Sequence, residues 1–103
     1  VDFEIDLAAE MLAAEREGEK IAVEIKSFIG SSNVSEFHTA LGQFLNYRFA
    51  LEEFDPQRKL YLAIPESTYK SFFQRRFTRR VVERAEISLI IYNESKEEIV
   101  LWQ

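Results

Sequence analysis

The stretch Ile21-Ala22-Val23-Glu24-Ile25-Lys26-Ser27 decides how the rest of the chain is read. Its apolar and β-branched residues suit a buried strand, yet it carries an acid and an amine two positions apart. Side chains alternate along a strand, so Glu24 and Lys26 share one face while Ile21, Val23 and Ile25 share the other. Two readings are open. The charges belong to an ordinary sheet face, meeting each other or solvent, or they are half of a metal-dependent site that cleaves phosphodiesters.

Upstream, Phe3, Ile5 and Leu7 alternate with Glu4, Asp6 and Ala8, which predicts a strand over residues 1–9, extendable through Met11 to Ala14. The Ala, Leu, Met and Glu content of Ala8 to Arg16 leaves a short helix there as the alternative. Glu15-Arg16-Glu17-Gly18-Glu19 reads as the turn of a hairpin into the strand at Lys20 to Phe28. Downstream, Gly30-Ser31-Ser32-Asn33 breaks the chain, and Asn33 with Glu36 three residues on resembles a capping box. The helix it opens is expected over Val34 to Glu53, with Phe37, Leu41, Phe44, Leu45 and Phe49 on its apolar stripe and Asp55-Pro56 ending it.

Lys59 to Ile64, closed by Pro65, is continuously apolar in the manner of a strand buried on both faces. A second helix is expected over Glu66 to Glu86, with Tyr69, Phe73, Phe77 and Val81 on one stripe and Arg75, Arg76, Arg79, Arg80 and Arg84 elsewhere. Ile87 to Tyr92 and Ile99 to Trp102 complete the chain as strands joined by the polar Asn93 to Glu98 turn. This order implies one α/β domain over residues 1–103, a mixed sheet flanked by helices in two or three layers. The Ile99 to Trp102 strand is read as an edge open to a homodimer or another partner.

Composition narrows the chemistry. The 103 residues are 47% hydrophobic with nine Phe, which favours a packed core over disorder. There is no cysteine, which excludes thiolate metal sites and cysteine nucleophiles, and with His38 the one histidine an imidazole-rich zinc site or a Ser-His-Asp triad has almost nothing to be built from. The missing cysteines also fit a cytoplasmic protein, and no apolar stretch has the length of a membrane span. The net charge of −5 opposes general nucleic-acid binding. The arginines between Arg75 and Arg84 are nevertheless a local basic stripe compatible with a directed phosphate contact. The chain begins with Val1, already in a strand-like pattern, so a processed or incompletely observed N-terminus is expected.

Asp6 and Glu24 are the candidate metal ligands, since two carboxylates on a sheet suit a hard cation such as Mg²⁺ or Mn²⁺, with the Ile25 carbonyl as a further oxygen. Bound metal would activate water and neutralise phosphoryl charge, and Lys26 would orient the water or stabilise the transition state. A hairpin about Glu17-Gly18 places Asp6 well along from Glu24, so a bulge, a bend or a splayed strand end is expected to bring them together. Glu10 shares the parity of Asp6 and is either a second metal ligand or a solvated acid. Gly42 in a helix weakens it, which points to close approach to the sheet or to a ligand.

Ile5-Asp6, then Val23-Glu24-Ile25-Lys26-Ser27, then Gln43-Phe44-Leu45-Asn46-Tyr47 resembles the PD-(D/E)xK nucleases, the restriction-endonuclease-like superfamily, in the branch whose helix carries Gln-x-x-x-Tyr. The resemblance implies that Gln43 and Tyr47 contact the substrate or support the lysine. Ile5 stands where the superfamily name has proline. The N-terminal helix and first strand that the resemblance implies before Asp6 have no counterpart in this chain. The wider stretches Ile5 to Glu10, Glu19 to Phe28, Ala40 to Arg48, Leu60 to Pro65 and Ile99 to Trp102 are similar to the XisH proteins, the fdxN-element excision controlling factors of filamentous cyanobacteria. That similarity implies an accessory role in site-specific DNA excision beside a recombinase and a partner called XisI, without implying cleavage.

Overall fold

Chain order is also spatial order in the computed structural model, which describes residues 2–6 and 11–103, with side chains from Ala13 onward. Strands β1 (Asp2–Asp6), β2 (Met11–Arg16), β3 (Glu19–Ile25), β4 (Lys59–Pro65), β5 (Ser88–Asn93) and β6 (Glu98–Trp102) are successive neighbours in one sheet. The pairs β1–β2, β2–β3 and β5–β6 are antiparallel, and β3, β4 and β5 are parallel. Parallel neighbours need crossovers. Helix α1 (Asn33–Phe54) links β3 to β4, and α2 (Glu66–Lys70), a 3₁₀ turn (Phe72–Gln74) and α3 (Arg76–Arg84) link β4 to β5. Among the described residues no helix is long and apolar enough to cross a membrane.

The expected single strand at residues 1–9 is two strands, and the helical alternative for Ala8 to Arg16 gives way to β2 over Met11–Arg16. Glu17 and Gly18, both at positive φ, form the tight turn between β2 and β3. Residues 7–10, Glu10 among them, lie outside the described residues. Helix α1 matches expectation within a residue or so at each end, but Ser32 rather than Asn33 is its cap, accepting a hydrogen bond from the Ser35 N–H at 3.2 Å. Phe49 is 61% exposed, because the buried stripe runs through Phe37, Ala40 and Phe44, with partly buried Leu51 continuing it.

The second expected helix is broken. Ser71 and Arg75 leave helical geometry, and the intervening 3₁₀ turn lets the adjacent Phe72 and Phe73 both bury against Phe28 and Phe37, which one continuous stripe cannot do. Phe77, expected in that stripe, is 72% exposed.

All the helices pack on one face of the sheet. Their core joins Phe37, Ala40, Phe44, Phe72 and Phe73 to Ala22, Leu60, Leu62, Ile64, Leu89 and Ile91, so the domain has two layers. The other face is a smaller cluster from strands alone: Ala14, Ile21, Val23, Tyr61, Ala63 and Ile90. There the sheet curls. The Arg16 guanidinium of β2 lies 3.9 Å from the Trp102 ring of β6, whereas four inter-strand spacings in a flat sheet amount to about 19 Å. Tyr61 fills the curl edge-on against Trp102 at 5.2 Å. Arg58 ties the layers at the opposite end from the β3 C-terminus, donating to the carbonyls of Ala14 (3.1 Å) and Ile21 (2.7 Å) and to Asp55 (2.9 Å).

Candidate functional site

Strand alternation places Glu24 on the helix-covered face, in register with Leu62 of β4 and with Met11 of β2. The reading of Glu24 as part of a solvated sheet face is therefore overturned: it is 3% exposed, and among the described residues neither carboxylate oxygen has a hydrogen-bond partner. A buried acid without partners resists ionisation. Burial pushes the Glu24 carboxyl up to about 7, and the nearby Lys26 ammonium pulls it only part of the way back.

Asp6 is not on the strand next to β3, as expected, but on β1, with β2 between them. The register runs Asp6 to Met11 to Glu24, so the three positions form one row across the sheet, and no bulge is needed to align them. The Cα atoms of residues 6 and 24 stand two strand spacings apart, about 9–10 Å. The Asp6 side chain lies outside the described part. Ile25 ends β3 on the opposite face and is 50% exposed.

Lys26 follows β3 directly and continues its ladder, its N–H donating to the Ala63 carbonyl at 3.0 Å. Its ammonium lies 3.2 Å from Glu36 Oε2, both side chains being 22% exposed. Glu36 Oε1 also accepts the Gly30 N–H at 3.0 Å, so this acid braces the loop it faces instead of closing a capping box. Phe28, at φ 56°, turns that loop sharply, and its ring is held edge-on by Phe73 at 5.5 Å. Aromatic packing thus offsets the cost of a non-glycine residue in left-handed geometry.

Glu36, Gln43 and Tyr47 recur at helical spacing along one flank of α1. Because α1 runs antiparallel to β3, Gln43 lies about 10 Å back from Glu36 along the helix and Glu24 about 7 Å back from Lys26 along the strand. Gln43 is therefore level with the stretch between Glu24 and Ala22. Gln43 is partly buried, and Tyr47, also partly buried, packs on the main core. A Cβ at Gly42 meets nothing within 4 Å among the described residues, so the glycine is not explained by close approach to the sheet. His38 is exposed. Among the described residues no cluster of three or more acids or histidines could hold a metal. Sequence reasoning missed Glu36 as the partner of Lys26, although its shared flank with Gln43 and Tyr47 was a usable signal.

A profile of the family described as XisH protein matches residues 1–100. The chain belongs to the XisH family. Two solved relatives agree. An XisH family protein from Nostoc punctiforme PCC 73102 is 54% identical, with a TM-score of 0.87 over 90% of this chain and 73% of its own. An fdxN element excision controlling factor protein from Anabaena variabilis is 50% identical, with the same TM-score and coverage. No curated protein matches the chain. The sheet and helices described above are thus the XisH fold, with Glu24 buried beneath its helical layer.

Proposed function

We propose that this chain is an accessory factor in excision of a DNA element and carries a Mg²⁺- or Mn²⁺-dependent endonuclease-like site of the restriction-endonuclease-like kind. One observation carries the reading: Glu24 is buried on the strand face it shares with Lys26, and among the described residues neither of its carboxylate oxygens has a hydrogen-bond partner. A buried acid is costly unless a cation or proton compensates it. Glu24, the Ile25 carbonyl and Asp6, which occupies the same register row, would hold the metal. Bound there, the metal would supply Lewis-acid activation of water and charge neutralisation at a phosphoryl group. Lys26 would stabilise the charged transition state, and Gln43 and Tyr47 would contact the substrate or support Lys26.

A second reading is favoured by the Lys26–Glu36 ion pair, which already engages the candidate catalytic amine. In it the domain is a nuclease-fold module that binds DNA, or an XisI-like protein and a site-specific recombinase, without cutting. Calorimetric titration with Mn²⁺ or Mg²⁺, on the protein and on Glu24→Ala, beside cleavage assays on duplex, nicked and branched DNA, separates the two. Metal binding lost in the variant together with cutting supports the enzyme. Metal binding without cutting supports the module, and absence of metal binding removes the metal site from both.

A further inference from the structure

The arginines of α3 have no part in the site described above. Residues 75–84 hold five arginines and one acid, Glu83, in a chain whose net charge is −5. Arg76, Arg79, Arg80 and Arg84 are all exposed, while Thr78 is buried and Val81, Val82 and Ala85 pack on the core. Among the described residues none of these four arginine side chains has an ion-pair or hydrogen-bond partner, not even Glu83 beside them. Arg76, Arg79 and Glu83 also line a shallow cavity of about 260 Å³ with Arg80 and Gln74. The first turn of α3 holds no acid, so Arg76 and Arg79 oppose the positive end of the helix without compensation. A sequence that concentrates unpaired cations where the backbone disfavours them departs from local consistency, as functional surfaces do.

The spacing fits a polyanion. Arg76, Arg80 and Arg84 succeed one another by about 6 Å along the helix, close to the rise of about 6.8 Å for two nucleotides of one strand. Position fits as well. Phe73, three residues before Arg76, packs against Phe28, two residues after Lys26, so the row begins beside the loop of the candidate site and on the same side of the sheet.

We propose that the face of α3 formed by Arg76, Arg79, Arg80 and Arg84 contacts the phosphate backbone of duplex DNA lying against the Glu24–Lys26 site. The inference rests on the reading of that site as one that meets DNA, but not on cleavage or on metal. Acids elsewhere on the surface repel the duplex and restrict it to this face, which makes binding local and salt-sensitive.

The test is fluorescence anisotropy with a short fluorescein-labelled duplex in EDTA, between about 50 and 200 mM salt. The full chain is compared with Arg76→Gln/Arg80→Gln/Arg84→Gln and with Lys59→Gln/Lys70→Gln/Lys96→Gln, which removes equal charge from other exposed positions. Circular dichroism verifies that both variants fold. The arginine variant is expected to lose at least about tenfold in affinity and about 2 to 3 from the salt slope, at 0.9 per phosphate contact, with a much smaller change in the lysine variant. Equal losses in both variants, no loss in the arginine variant, or no duplex binding by the parent chain overturns the proposal. So does tighter binding of polyglutamate than of the duplex at matched charge, which assigns the face to an acidic protein. Calorimetry of Mn²⁺ binding involves no DNA, so the metal-site reading stands or falls separately.

Discussion

Glu36 holds Lys26 at 3.2 Å from the first turn of α1, so the amine is anchored by a carboxylate across the loop and not by its strand neighbour Glu24. One consequence is that Glu24 stays without a hydrogen-bond partner among the described residues. Glu36→Gln is expected to lower stability by about 0.5–1 kcal/mol, as for a partly exposed ion pair, read from urea midpoints. It should also speed acylation of the Lys26 amine, followed by mass spectrometry. Gly30→Ala should copy both effects, because its Cβ would meet Glu36 Oε1 at 2.5 Å and push that flexible end aside. Unchanged Lys26 labelling in both variants would show that Glu36 does not hold the amine in solution.

The Glu24 carboxyl, raised to about 7 from 4.5 by burial, makes stability depend on pH in an unusual direction. Below about pH 4.5 the group is protonated in both the folded and unfolded chain and adds no pH-dependent cost. As pH rises from there towards 7 the unfolded chain ionises first, so stability falls, and above about 7 the loss is complete at roughly 3 kcal/mol. Glu24→Gln should remove this slope, and the difference between variant and parent should widen from pH 5 to pH 8 in urea melts. Mn²⁺ at pH 8 should restore the parent and leave the variant unchanged. Parallel pH profiles for the two proteins would refute the assignment.

The strand carrying Glu24 and Lys26 was legible because alternation puts its charges on one face whatever the surroundings. Their burial was not, since it depends on α1 covering that face. The separation of β1 from β2 was hidden because Leu7-Ala8-Ala9-Glu10 contains no Gly, Pro, Asn or Asp to mark a break. Without it the register of Asp6 could not be counted, although two successive antiparallel pairings place it in the row of Glu24. The break at Phe72-Phe73 was invisible for a related reason. Two adjacent aromatics compete for one core, and tertiary packing outweighs the helical propensity of the residues around them.

Gly42 offers a test of what α1 needs. It is helical and exposed, and an added Cβ would meet nothing within 4 Å among the described residues, so no close approach to them requires glycine there. Gly42→Ala should therefore stabilise the fold by about 0.5–1 kcal/mol, through helix propensity and a less flexible unfolded chain. A thermal melt that moves upward with unchanged metal affinity is the expected result. A loss of affinity would show that the glycine serves a ligand at the site.

Arg58 carries more of the architecture than its place in a loop implies. One guanidinium nitrogen donates to the carbonyls of Ala14 and Ile21 while Nε meets Asp55, joining the β2–β3 hairpin to the exit of α1. These are charge-assisted bonds from a side chain that is 19% exposed, so water replaces them poorly. Arg58→Met keeps the stem but strands the two carbonyls and Asp55, and should cost about 2–3 kcal/mol in urea denaturation. Arg58→Lys should recover only part of this, since one ammonium on a different stem cannot reproduce the planar fork. Because Ile21 lies three residues before Glu24 on β3, hydrogen exchange of the β2–β3 amides should accelerate in both variants, and more in Arg58→Met. Exchange confined to the α1 exit would mean that Arg58 stabilises its loop and not the hairpin.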